Sequence, residues 1–383
     1  MKKLLAITLC LAFAATAAEA RTFYVDANRP NNNGNGLTAK TAKKTIQAAI
    51  NVARAGDTIV VAPGTYSPIK TNNKKITIKS TKGAAKTKIV KPAKNNPMIV
   101  LVRLGKPYSV EVEPGVNRSS DPYTKGKDTR LTGFLLDGRN MAKDSLFLGV
   151  SGGTLKSCSI QRLGRNITEH GAWVAYYATL TGCTILRNNF ELPGRCVLDR
   201  CRIADNKSEE GDYNSRYSNC LFTGNLLFAH GDSQSFFDKS TLVNCTITEN
   251  TIYRDVDKAQ YFTTGPHLAS GSKFYNCILR NNYLAWADWG MSDGEWWYDP
   301  MNQSPAIHNV DSGCGYSRTY KNNRDPKFVD AEGGNYRLKK GSPCIDQGAV
   351  NAKLMKLGWF GTVDLDGKKR ILGKQIDMGC YEY

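Results

Sequence analysis

Between Thr154 and Asn282 the apolar and polar positions fall on one repeated template. Six segments carry it: Thr154-Leu-Lys-Ser-Cys-Ser-Ile, Thr179-Leu-Thr-Gly-Cys-Thr-Ile, Val197-Leu-Asp-Arg-Cys-Arg-Ile, Arg216-Tyr-Ser-Asn-Cys-Leu-Phe, Thr241-Leu-Val-Asn-Cys-Thr-Ile and Lys273-Phe-Tyr-Asn-Cys-Ile-Leu. An apolar residue stands three before each cysteine, and Ile160, Ile185, Ile203, Phe222, Ile247 or Leu279 stands two after it. Five after it comes Asn188, Asn206, Asn225, Asn250 or Asn282, with Leu163 in the first copy. Residues two apart share one face of a strand. The residue three before the cysteine has the wrong parity for that strand, so a bend must separate them. A buried residue, a bend, a short strand and an asparagine describe one corner of a coil.

The cysteines recur every 18 to 32 residues, which suits one three-sided turn of a solenoid with loops of varying length. Stacking the turns predicts ladders of Leu on Leu, Cys on Cys and Ile on Ile. The asparagines are then placed to bond the backbone of neighbouring turns. Leucine-rich repeats share the flavour, but they keep a tighter period and a helical segment that is missing here. The predicted fold is all-β: a single-stranded, right-handed parallel β-helix.

Both ends carry their own signals. Thr22-Phe-Tyr-Val-Asp reads as a strand, and Thr45-Ile-Gln-Ala-Ala-Ile-Asn-Val-Ala has helical periodicity. Gly56-Asp-Thr-Ile-Val-Val-Ala-Pro-Gly-Thr-Tyr then gives a turn, a buried strand and a second turn. A helix across the first coil would cover the open apolar end of a solenoid. This stretch resembles the opening of pectate-lyase-like right-handed β-helix proteins. Asp325-Pro-Lys-Phe-Val-Asp, Gly341-Ser-Pro-Cys-Ile-Asp-Gln-Gly and Ile376-Asp-Met-Gly-Cys-Tyr-Glu-Tyr resemble the C-terminal segment of bacterial choice-of-anchor Q β-helix proteins. Those proteins usually carry a sorting signal after this segment, and none is expected here. The resemblance implies fold and export but no single reaction.

Residues 1–20 have a short basic start, an apolar run and Ala18-Glu19-Ala20, the pattern of a cleaved signal peptide. The expected organisation is therefore a signal peptide over 1–20, a β-helix with its N-terminal cap over 21–310, and a C-terminal segment over 311–383 that forms an irregular cap packed on it. The protein is expected to be a monomer, secreted or held at the cell surface, with no membrane span and no lipid anchor. The six template cysteines read as small buried hydrophobes, because stacked parallel neighbours present poor disulfide geometry. Cys196, Cys314, Cys344 and Cys380 are better disulfide candidates, with Cys344–Cys380 the pairing favoured.

The formal charge of +18 draws polyanions by long-range attraction, and outside a cell these include acidic glycans. Nucleic acid has only this net charge in its favour and is not the expected partner. No zinc-binding His pair or phosphate loop is present, so the zinc-hydrolase and nucleotide-binding classes find no support. No cofactor is identified; Asp364-Leu-Asp-Gly leaves calcium open, although the run is shorter than a dedicated calcium loop.

Three functions remain. A uronate lyase needs a cation on the carboxylate, a base for the neighbouring proton and a donor to the leaving oxygen. Arg162 and Arg187 share a template position on adjacent coils, and His170 lies between them, so these three are the expected catalytic residues. The alternative is a pair of solvated arginines. A glycoside hydrolase needs two carboxyls across a groove; Asp205, Glu209, Glu210, Asp212 and the His230-Gly-Asp232 run are its candidates. A non-catalytic carbohydrate binder, adhesin or surface rod would use Trp286, Trp289, Trp296, Trp297 and Asp288, whose rings and carboxylate suit sugar faces and hydroxyls. The working expectation is a protein that acts on or binds an acidic polysaccharide or cell-surface glycan.

Overall fold

The computed structural model describes residues 19–90, 99–107, 124–139, 147–164, 173–209, 211–229, 235–255, 267–287, 297–298, 310–311, 325–349 and 355–383. The signal-peptide reading of residues 1–20 lies almost wholly outside them. Among the described residues, no helix is long and apolar enough to cross a membrane.

The chain winds through parallel sheets whose neighbours are successive turns. One face is an eleven-stranded sheet running from Thr22–Val25 to Lys273–Tyr275, closed by the antiparallel strand Val310–Asp311. A second face has nine strands, from Gly64–Tyr66 to Ile278–Arg280. The third face is broken into shorter sheets, including Leu226–Ala229 with Thr251–Asp255 and Ser235–Asp238 with His267–Ser270. This is a right-handed parallel β-helix.

The register matches the template. Leu155, Leu180, Leu198, Tyr217, Leu242 and Phe274 stack on the first face. Ile160, Ile185, Ile203, Phe222, Ile247 and Leu279 stack on the second. All are buried, as are the six cysteines between them. The expected bend is the residue just before each cysteine. Ser157, Arg200, Asn219, Asn244 and Asn276 have φ of 50 to 55°, and Gly182 has 58°.

The asparagine row is a continuous hydrogen-bond ladder. Asn206 Oδ1 accepts from Asn188 N (3.0 Å) and Nδ2 (2.9 Å), Asn225 serves Asn206 in the same way, then Asn250 serves Asn225 and Asn282 serves Asn250. Each link satisfies a buried corner N–H, which left unpaired costs about 1–3 kcal/mol.

At the N-terminal end the helix Ile46–Val52 buries Ile46, Ala49 and Ile50, and Thr45 caps it by accepting from Ala48 N. At the other end, residues 325–349 and 355–383 lie against the outside of the last coils. Phe328, Tyr336, Leu338, Cys344, Met378, Cys380 and Tyr381 cluster with Leu221 and Ile278 of the second face. Asn219 and Asn244 both donate to Phe360 O, and Asn276 exchanges hydrogen bonds with Ala349.

The nine described cysteines are all buried and free. Two expectations change as a result. Cys196 is unpaired, and Cys344 and Cys380 are not bonded to one another although both lie in one apolar cluster. They fill volume there as small hydrophobes, as the template cysteines do. Cys314 lies outside the described residues.

Candidate functional site

Because the template residues face inward, chemistry must sit at outward positions, and the corners supply them. Besides the bend before the cysteine, two further positions in each coil adopt left-handed backbone. One lies four after the cysteine: Arg162, Arg187, Asp205, Gly224, Glu249 and Asn281, with φ of 50 to 63°. The other opens the first-face strand: Tyr177, Arg195, Asn214, Lys239 and Gly271, with φ of 48 to 59°. Each set forms a row along the solenoid, with the third face lying between the two rows.

In the first row Arg162 and Arg187 are neighbours, Arg162 N donating to Arg187 O at 3.2 Å. Their side chains differ in what they meet. Arg162 donates from Nε (2.9 Å) and Nη2 (2.6 Å) to both oxygens of Asp137, and Arg139 Nε donates to Asp137 Oδ2 at 2.7 Å. The Asp137 side chain is fully buried. Burial pushes its carboxyl upward, but the hydrogen bonds from Arg162 and Arg139 outweigh that and hold it below the usual carboxylate range. Arg187 is 73% exposed, and its nearest carboxylate is Asp205 at 3.8 Å.

The second row builds a patch of rings and cations. Arg195 lies over two tyrosine rings, 5.6 Å from the centroid of Tyr177 and 5.2 Å from that of Tyr213, and donates to Tyr177 Oη at 3.0 Å. Lys239 Nζ stands 5.4 Å from the Tyr213 centroid. Tyr176 packs edge-on against Tyr177 at 4.8 Å and tilted against Trp173 at 5.4 Å. Gly194 makes room for this: a Cβ there would come within 2.8 Å of both Trp173 and Tyr176. Burial raises the Tyr176 phenol to about 12 despite the Arg195 charge, so it stays protonated at neutral pH and can donate. Arg195 and Lys239 are exposed while the rings are half-buried, so the cations are accessible on an ordered aromatic bed.

Beneath the patch, Asp212 occupies an interior position beside the outward Tyr213. Its carboxylate is hydrogen-bonded to Ser240 Oγ and accepts from Asp238 N at 3.2 Å. Burial raises its pKa well above the ordinary value, and these bonds do not offset it. Asp212 therefore cannot be one of two carboxyls facing a groove, which removes it from the hydrolase set. Glu210, His230 and Asp232 lie outside the described residues.

So do His170, Asp288, Trp289 and Trp296. Trp286 and Trp297 are placed by backbone only, Trp286 beside Arg254 and Trp297 opposite Ala285. The lyase set thus retains a tethered Arg162, an exposed Arg187 and an undescribed His170. The Asp364 loop is a structural turn. Asp364 accepts from Lys368 N (2.7 Å) and Glu382 N (2.9 Å), and Asp366 takes both nitrogens of an Arg337 fork at 2.7 Å. Among the described residues no group of three or more His, Cys, Asp or Glu side chains is arranged to hold a metal.

The ring residues Trp173, Tyr176, Tyr177 and Tyr213 had a signal in the chain. Tyr177, Arg195, Asn214, Lys239 and Gly271 each precede a small buried residue: Ala178, Cys196, Ser215, Ser240 or Ser272. This third repeated corner is hidden by loops of unequal length.

The fold and the corner rows define an all-β solenoid with a cationic, aromatic outer edge. Among solved structures the chain is similar to the pectate lyase Pel9A (14% identity, covering 94% of this chain and 96% of that one, TM-score 0.49). It is also similar to a rhamnogalacturonan lyase (13%, 89% and 99%, TM-score 0.35) and to a pectin methylesterase from carrot (14%, 72% and 79%, TM-score 0.33). Identities this low carry no activity with them. No protein-family model matches the chain, and no curated protein matches it.

Proposed function

We propose that the protein is exported and binds an acidic, uronate-containing polysaccharide along its third face, with the Tyr177–Arg195–Tyr213–Lys239 patch as the principal contact. The observation that carries this reading is Arg195, an exposed guanidinium held between two tyrosine rings with Lys239 beside it. Rings offer faces to sugars, and fixed cations offer charge to their carboxylates. Both are prepositioned, which lowers the ordering cost of binding. The formal charge of +18 supports the choice of an acidic ligand. The resemblance of both chain ends to exported β-helix proteins, including the choice-of-anchor Q group, agrees with it.

The catalytic extension is β-elimination. Arg195 or Arg187 would neutralise the uronate carboxylate, and His170, between Arg162 and Trp173 in sequence, would take the adjacent proton. The electron pair left behind forms the new carbon–carbon double bond as the bond to the leaving oxygen breaks, and that oxygen takes a proton from Tyr176 or water. The test is to incubate the protein with a panel of uronate polymers, with and without calcium. Binding is followed by calorimetry and elimination by the absorbance of new unsaturated ends. Saturable binding that Arg195→Ala weakens is the expected result. Binding without new absorbance would leave a carbohydrate-binding surface protein. Reducing ends without that absorbance would select a hydrolase, and no binding to any uronate polymer would overturn the proposal.

A further inference from the structure

A second concentration of positive charge lies away from the patch, where the C-terminal segment meets the last coil. A cleft of about 410 Å³ is lined by Arg280, Asp325, Lys327, Lys339 and Lys340, with Phe328 and Ala331 as apolar lining. Arg280 ends a second-face strand, and Asn281 follows at the left-handed corner. The lysines come from the opposite wall, the antiparallel hairpin Phe328–Asp330 with Asn335–Leu338. One backbone and one side-chain hydrogen bond hold that wall. Lys339 N donates to Lys327 O at 2.9 Å, and Lys327 Nζ reaches Gly341 O at 3.1 Å. Asp325 Oδ1 accepts from Lys327 N at 3.0 Å. Among the described lining residues, Lys327, Lys339 and Lys340 face a single carboxylate, so the cleft carries net positive charge, and its volume falls in the range of small-ligand sites.

We infer that this cleft is a second binding site for the same acidic polysaccharide, seating one charged sugar between hairpin and coil. The identity of the ligand rests on the reading proposed above; the existence of an anion site here rests on the cleft alone. Charged walls around an apolar lining suit a ring that carries an anionic group, more than they suit a bare ion. A polymer engaging both places would gain from effective concentration, by about 100-fold or more over a fragment that fits only one.

The experiment is zero-length carbodiimide coupling of a short oligogalacturonate to the intact protein, with the modified lysines mapped by mass spectrometry. It is paired with affinities of short and long oligomers for Lys339→Ala/Lys340→Ala and for Arg195→Ala/Lys239→Ala. Both pairs are exposed, so the fold is not at stake. The inference expects coupling concentrated at Lys327, Lys339 and Lys340 as well as at Lys239. It also expects the Lys339/Lys340 variant to lose about tenfold in affinity for long oligomers. Coupling at Lys239 alone, with long-oligomer affinity unchanged in the Lys339/Lys340 variant, would overturn the second site and leave the patch standing. Coupling at the cleft but not at Lys239 would overturn the patch and keep the cleft. Coupling spread over exposed lysines such as Lys82 and Lys368 without enrichment would overturn both.

Discussion

Two buried aspartates stand under the two corner rows, and they are handled in opposite ways. Asp137 meets two guanidiniums, whose hydrogen bonds hold its pKa below the ordinary value; Asp212 meets a serine hydroxyl and a backbone N–H, and burial raises its pKa well above that value. The rows above them diverge accordingly. Arg162 spends its hydrogen bonds on Asp137 and becomes part of the scaffold. Arg195 lies over tyrosine rings, with a buried acid beneath them, and keeps its charge for a ligand. An arginine at a left-handed corner is therefore no indication of function by itself; the group next to it decides.

The strongest way to break this contrast is Asp137→Ala. It leaves two guanidiniums without their carboxylate, and a broken buried pair costs several kcal/mol. Both arginines are about half exposed, so a loss of about 2–3 kcal/mol is expected in chemical denaturation, with uronate binding unchanged.

The two acids should next separate by the sign of their pH dependence. Asp137 has a lowered folded pKa. Its contribution is present above the unfolded carboxylate value of about 3.9 and is lost as pH falls through the folded value. Asp212 has a raised folded pKa. Its contribution is present below about 3.9 and is lost as pH rises from there towards the folded value. Asp137→Asn should flatten the acid limb of the stability profile, and Asp212→Asn should flatten the decline that begins above about 3.9. Denaturation midpoints across pH would show it, and equal profiles for the two variants would end the contrast.

Arg195→Ala is expected to weaken uronate binding about tenfold, near 1.4 kcal/mol, within the range of a partly desolvated cation–π and ion-pair site. Its melting temperature should barely move. Arg162→Ala should do the reverse, losing stability and keeping binding. The smallest effect belongs to Arg187→Ala, whose exposed pair with Asp205 should contribute under about 0.5 kcal/mol.

The interior of this protein was readable from its sequence because inward positions obey a fixed alphabet. Leu155, Cys158, Ile160 and the asparagines recur since every coil must fill the same volume and bond the same corner. The stacking of Arg162 on Arg187 followed from the same spacing. What they touch did not, since Asp137 precedes the first full template copy and reaches Arg162 only across coils. The patch was hidden for a related reason. Trp173, Tyr176 and Tyr213 belong to a third corner whose distance from the cysteine changes with every loop, so no fixed spacing reveals it. The disulfide expectation failed on chemistry rather than spacing: Cys344 and Cys380 share a neighbourhood but serve it as apolar volume.

The C-terminal segment has a consequence for the order of assembly. Phe360 O receives Asn219 and Asn244, and Ala349 receives Asn276, from three successive coils. That row of acceptable partners exists only after those coils have stacked in register. The segment leaves the ribosome after them and has nothing to dock on before them. Its docking thus reads the register of three coils at once, since these hydrogen bonds need all three asparagines in line.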